Sequence, residues 1–327
     1  MRFIRRGAAT SETAEETAIR LERAERSRQL VEGGGIPLEA EERIRRQQLE
    51  GGVWTSDLSV DELAALRGVG YEPIAQVLGS SLYRLGWINT GWSQGPGLGV
   101  GMRGAYAFGA MEPMENQALT RSLLEARARA LHRLVLEAEG LKADGVVGVR
   151  LKVSHWDWAQ GMSEFTVLGT AVRQTGAPPR AEPFTSTLTG QDLAKLLSTG
   201  YSPVRLVMGA SAQQAVAYFG RGFGYAAWTN SEVGTFSRAM HQAQTAARQR
   251  IGLEAAQAGA SGVVGVDFNS NVVEYATGSE AVLGRIVEWV ILGTAVVPRP
   301  GAVPAAPPSL VVSLRPRRTA DVGSTIP

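Results

Sequence analysis

Cysteine is missing from all 327 residues. Disulfides, thiolate metal sites, iron–sulfur clusters and cysteine nucleophiles are therefore excluded. Histidine is almost missing as well: His132, His155 and His241 are the whole set. Charge of one sign is lacking, because 33 Lys and Arg stand against 31 Asp and Glu. The pI near 9.0 reflects that small imbalance and not a basic surface built for phosphate backbones, so no nucleic-acid partner is expected. No apolar run reaches the roughly 18 residues of a membrane span. The opening MRFIRRGAATSETAEE has basic residues with no apolar stretch behind them. A protein without a membrane span, in the cytoplasm, is the expectation.

What the chain does have is a repeat. SDLSVDELAALRGVGYEPIAQVLGSS (56–81) aligns without gaps on STLTGQDLAKLLSTGYSPVRLVMGAS (186–211), a shift of 130. Downstream the shift becomes 117, so that Glu115 meets Glu232, Arg133 meets Arg250, and ADGVVGV (143–149) meets ASGVVGV (260–266). EFTVLGTAV (164–172) meets EWVILGTAV (288–296) at a shift of 124. Collinear matches at drifting shifts are what duplication followed by loop-length change leaves behind.

The repeated unit reads physically. Asp61–Arg67 and Gln191–Ser198 are short helices stopped by a glycine before Tyr71 and Tyr201. A strand follows each proline. Residues 116–140 place Leu123, Leu124, Ala128, Leu131, Val135 and Ala138 near one face of an amphipathic helix. Its partner over 235–258 has alanines for leucines, which implies closer packing. Asp144-Gly145 and Ser261-Gly262 supply the stop and turn into a half-buried antiparallel strand. There Val147, Val149, Leu151 and Val153 alternate with Arg150 and Lys152. Gly148 and Gly265 fall on the polar face, where a bare backbone admits a close neighbour.

Around these units lie three kinds of extension. Residues 11–50 read as two charged helices broken at Gly33–Gly35, the second opening at Pro37. Ten Arg balance ten Glu in the first fifty residues, so this is a solvated hairpin or a partner-binding appendage, not a basic arm. Two glycine- and aromatic-rich loops occupy the same place in each unit. Trp92, Tyr106 and Phe108 in the first, with Tyr218, Phe219, Phe223 and Trp228 in the second, are candidates for subunit or domain interfaces. Residues 298–327 have the Pro-rich composition of a disordered tail.

Chemistry finds little purchase. A phosphate loop joins a strand to a helix N-terminus, but GVVGV runs from a helix into a strand, so no nucleotide is expected there. A metal site needs several converging ligands. None of the histidines recurs between units, and His155 with Asp157 in SHWDW is the best local pair. No Ser-His-Asp spacing and no paired acidic motif is shared by the units, which argues against an enzyme. Gly145, Gly148, Gly262 and Gly265 are then structural turn and strand positions.

ALHRLVLEAEGLKADGVVGVRLKV followed by EFTVLGTAV resembles the helix, turn and strand signature of the YbjQ-like family, labelled heavy-metal-binding, and the second copy resembles it too. The resemblance implies small β-α-β-β units that assemble into a pentameric ring. The expectation is an α+β protein: a helical appendage (1–54), tandem units (55–176 and 177–297) and a tail (298–327). Its partner is itself, as a ring or scaffold, with a protein partner recruited through residues 11–50 and no cofactor. The alternatives are a divalent-metal module using His, Asp and Glu, and a small-molecule binder at clefts between units.

Overall fold

The structure, a computed structural model, describes residues 14–50, 55–84, 112–155, 162–218, 234–275 and 282–299. The appendage is α1 (Ala14–Glu32) and α2 (Leu38–Glu50). The first unit holds α3 (Val60–Gly68), β1 (Tyr71–Arg84), β2 (Met114–Glu115), α4 (Gln117–Gly140), β3 (Gly145–His155) and β4 (Met162–Gln174). The second holds β5 (Phe184–Thr185), α5 (Gly190–Ser198), β6 (Tyr201–Tyr218), α6 (Gly234–Gln257), β7 (Gly262–Tyr275) and β8 (Val282–Pro298). This is the expected α+β tandem. The segment read as a disordered tail lies, after Arg299, outside the described residues.

Local chemistry sets the helix starts. Ser59 and Glu62 form a reciprocal capping box at α3, and Thr189 accepts from the Asp192 amide at α5. Asn116 caps α4 by accepting from the Leu119 amide at 3.0 Å. In each unit the long helix lies across its antiparallel strands. A Cβ on Gly79 would stand 1.9 Å from the Ala130 carbonyl oxygen, and one on Gly209 1.9 Å from that of Ala247. Backbone therefore rests on backbone at this point of both units. The buried stripe Ala126, Ala130, Leu134 and Ala138 on α4 becomes Ala243, Ala247, Ile251 and Ala255 on α6, the leaner packing that the sequence implies.

The GVVGV strands depart from simple alternation. The β3–β4 register shifts between Val147 and Arg150, and the β7–β8 register shifts between Val264 and Asp267. Gly148 (φ 64°) and Gly265 (φ 59°) take the left-handed conformation at these bulges, which a side chain would strain. Val146 and Val147 are both fully buried because both faces of β3 are covered, and the bulge places Val149 with Val146 instead of on the face of Val147 that alternation predicts. Val146 joins the core under α4, and Val147 joins a second cluster with Leu66, Phe184 and Leu193 around the short helices.

The two units exchange strands. One sheet runs β1-β4-β3-β5 and the other β2-β6-β8-β7. β5, from the start of the second unit, adds parallel to β3 of the first. β2, from the first unit, adds antiparallel to β6 of the second.

Candidate functional site

The feature that these elements build most fully is the joint between the units. Phe184 lies flat over the first GVVGV strand: a Cβ on Gly145 would be 2.1 Å from its ring, so only glycine fits beneath it. Tyr71 meets that ring edge-on, with centroids 6.1 Å apart. Past β5 the chain keeps pairing, with the Val149 amide donating to the Ser186 carbonyl and the Gly148 amide to that of Leu188, both at 2.8 Å. Ser186 and Thr187 then turn onto the second sheet, where the Thr187 amide donates to Thr294 Oγ1 at 2.9 Å. Strand addition of this kind satisfies an edge that would otherwise template aggregation.

The reciprocal contact is electrostatic. Arg250 on α6 donates to both oxygens of Glu115 on β2, at 2.6 and 2.9 Å, and to the Ala210 carbonyl. Ser211 and Thr120 hydroxyls complete the carboxylate's partners. The Arg250 hydrogen bonds hold the Glu115 carboxyl below the usual carboxylate range, against the opposing effect of burial. Nearby, Leu119 and Leu123 of α4 share a core with Leu206, Met208 and Ala212 of the second unit. Arg127 is fully buried, its nitrogens find no hydrogen-bond partner among the described residues, and burial pulls its pKa down to about 10 despite Glu288 and Glu254. Burial in turn raises the Glu254 carboxyl, which accepts from the Met208 amide at 2.7 Å.

The appendage sits at the opposite end of the first unit. Ile36, just ahead of α2, and Ile44 within it are buried against that unit, and Arg43 binds Glu137, the repeat-mate of Glu254. Arg43 also donates to the Gln76 carbonyl on the outer edge of β1. α1 is mostly exposed and tied back by Arg23–Glu42 and by Ser27 to Glu39.

The residues singled out from sequence fall as follows. Gly145 and Gly262 open β3 and β7, and Gly148 and Gly265 form the bulges. His155 ends β3, opposite Ser163, while Asp157 lies outside the described residues. Tyr218 ends β6 opposite Val282. Trp92, Tyr106, Phe108, Phe219, Phe223 and Trp228 lie outside the described residues. Among the described residues no three His, Asp or Glu side chains gather as a metal site. No helix among them is long and apolar enough to cross a membrane. A cleft of about 330 Å³ opens between the units beside Tyr71, Arg180, Ser202 and Arg299.

Sequence reasoning missed Phe184, Glu115 with Arg250, and Arg127. The first two had a signal: TSTL (185–188) repeats TSDL (55–58), and the Arg250 and Arg133 positions align. Arg127 had none, because its mate is Gln244.

Known proteins now bear on this arrangement. The profile of the YbjQ family, whose description reads "Putative heavy-metal-binding", matches residues 108–175 and 204–299. The chain is 36% identical over 274 residues to a Mycobacterium tuberculosis protein named encapsulin nanocompartment protein Rv1762c, covering 80% of this chain and 92% of that one. It is also 42% identical over 71 residues to a UPF0145 protein of Acinetobacter baylyi, covering 21% of this chain and 64% of the relative. A UPF0145 protein of Thermosipho melanesiensis is 39% identical over 69 residues, 21% of this chain and 62% of its own. No solved structure matches significantly.

Proposed function

Because the chain belongs to the YbjQ family and carries the family's domain twice, we propose that it is a non-enzymatic scaffold which self-assembles into a homo-oligomeric ring and serves an encapsulin-type protein compartment. The observation that carries this reading is the joint: buried glycines, exchanged strands and the Glu115–Arg250 pair are spent on holding one unit to the next. The compartment is carried over from the mycobacterial relative, whose likeness spans both units. Residues 11–50 are the surface for a protein partner, since Ile19 and Leu21 of α1 face solvent on an otherwise charged helix. The functional divisions of the chain are 1–54, 55–176, 177–297 and 298–327.

Native mass spectrometry of the full-length protein, without added metal and again after chelation, tests the reading. A discrete multimer with the mass of bare chains supports it. A multimer that carries stoichiometric ions and dissociates with chelator sinks it in favour of a metal module. Co-expression with an encapsulin shell protein tests the second half: the chain should co-sediment with assembled shells, and a chain that remains in the unassembled fraction argues against the compartment.

A further inference from the structure

Among the described residues the first sheet ends on β1 and the second on β7. Inside the chain the repeat-mate of each is covered: β6, the mate of β1, carries β2, and β3, the mate of β7, carries β5. No strand lies on either edge among the described residues, although α2 reaches the first half of β1 through Arg43 on the Gln76 carbonyl and Gln47 on the Ile74 carbonyl. The later half of β1 and the edge of β7 are thus the two halves of the joint that the chain already contains once. We propose that they dock on each other between copies, the β7 and α6 face of one chain taking the β1 edge and residues 55–58 of a second copy. This inference rests on the self-assembly reading above and names its surface and direction.

Burial at matched positions carries it. Val266 on β7 is 56% exposed where its mate Val149 is 3% exposed. Met240 on α6 is 38% exposed where Leu123 is 3%, and Leu82 on β1 is 49% exposed where Ala212 is fully buried. Thr55 is exposed and Ser56 half-buried, while Thr185 and Ser186 are buried in the joint. Exposed apolar side chains scattered on a surface need no explanation, but these fall on the mates of joint residues.

Charge agrees with the same docking. At the internal joint the half-buried Glu254 accepts from the Met208 amide and lies in the field of Arg205 and, from the preceding unit, Arg127. At the free end its mate Glu137 already has Arg43 of α2, and α6 carries Gln244 in place of Arg127. A second arginine would be superfluous there, and the sequence does not supply one. Arg133, the mate of Arg250, reaches the Ser80 carbonyl and has no ion pair among the described residues; burial lowers its pKa. Glu232, which the repeat sets at Glu115's place, lies outside the described residues. One position differs: Gly190 lets α5 approach α3 so closely that a Cβ would be 2.8 Å from the Glu62 carbonyl, and its mate is Val60. The joint between chains is therefore wider at the short helices than the joint within one. Head-to-tail contacts of this kind close into a ring or run on as a filament, and a ring of such chains holds an even number of units.

Sedimentation velocity and native mass spectrometry of the full chain test this, using Leu82→Glu to block the β1 edge and Val266→Lys to block the β7 edge. Both side chains are exposed, and thermal melts should match the wild type. The expected result is a multimeric wild type, two monomeric variants, and an equimolar mixture that forms a two-chain species and nothing larger, because one intact head and one intact tail remain. Variants that each stay multimeric overturn this surface while leaving self-assembly intact. A mixture that forms no pair overturns the head-to-tail direction. A wild type that is monomeric at every concentration overturns both readings. Met240→Glu and Leu78→Lys repeat the test should either first variant misfold.

Discussion

Gly145–Val149 and Gly262–Val266 are spelled identically and bent identically, each with a left-handed glycine at a bulge. Every valine of the first is buried, whereas the second has Gly265 and Val266 exposed and its other residues half-buried. Neither composition nor backbone conformation explains the difference. A two-residue strand from the next unit lies on the first and none lies on the second among the described residues. Burial in a repeat is thus a property of the neighbour as much as of the strand, and an exposed copy beside a buried one points to what is absent.

The two units should be alike where strand backbone meets helix backbone. Gly79→Ala and Gly209→Ala each force a Cβ into helix backbone and should cost about 3 kcal/mol or more, by urea unfolding. Similar losses show that the two cores are equivalent; a loss in one unit alone would break the pairing. Where the units should differ, Val149→Ala should cost about 2 kcal/mol and Val266→Ala under about 0.5 kcal/mol in dilute solution. Equal costs at these two mates would contradict the account.

The Glu115–Arg250 contact gives a smaller effect with a pH signature. Glu115→Gln should destabilise the protein by about 1.5 kcal/mol at neutral pH. Because the carboxyl's folded value lies below its ordinary one, its contribution is complete above the ordinary carboxylate value of about 4.3. It is lost as pH falls through the lowered value. The gap between wild type and Glu115→Gln should therefore close in acid, and a gap independent of pH would mean that the carboxylate's charge is not what binds Arg250. Smallest of all, Arg23→Ala breaks an exposed pair in the appendage and should leave the melting temperature unchanged.

Much of the fold was legible because periodicity and punctuation report local structure. Helices over 117–140 and 234–257, the appendage hairpin and the strands after Tyr71 and Tyr201 follow from apolar spacing, caps and glycines. The bulges were not legible: GVVGV alternates cleanly on paper, and the left-handed glycine that carries Val149 onto the face of Val146, away from Val147, leaves no trace in hydropathy. The joint was half legible. The recurrence of TSTL and TSDL was visible, but pairing between segments some 40 residues apart, such as β5 with β3, is a tertiary choice that local propensity does not encode. Arg127 stayed hidden because a cation amid leucines on α4 reads as a solvated turn of the helix, and burial comes from the other unit.

Amide hydrogen exchange of the full-length protein at low and high concentration reads the free β7 edge itself. The Gly148 and Val149 amides, bonded to Leu188 and Ser186, should be protected at both concentrations. Their mates at Gly265 and Val266 should exchange quickly when dilute and become protected when concentrated, as a second copy supplies the strand. Exchange at Gly265 and Val266 that stays fast at every concentration, in a sample shown to be multimeric, would contradict the account.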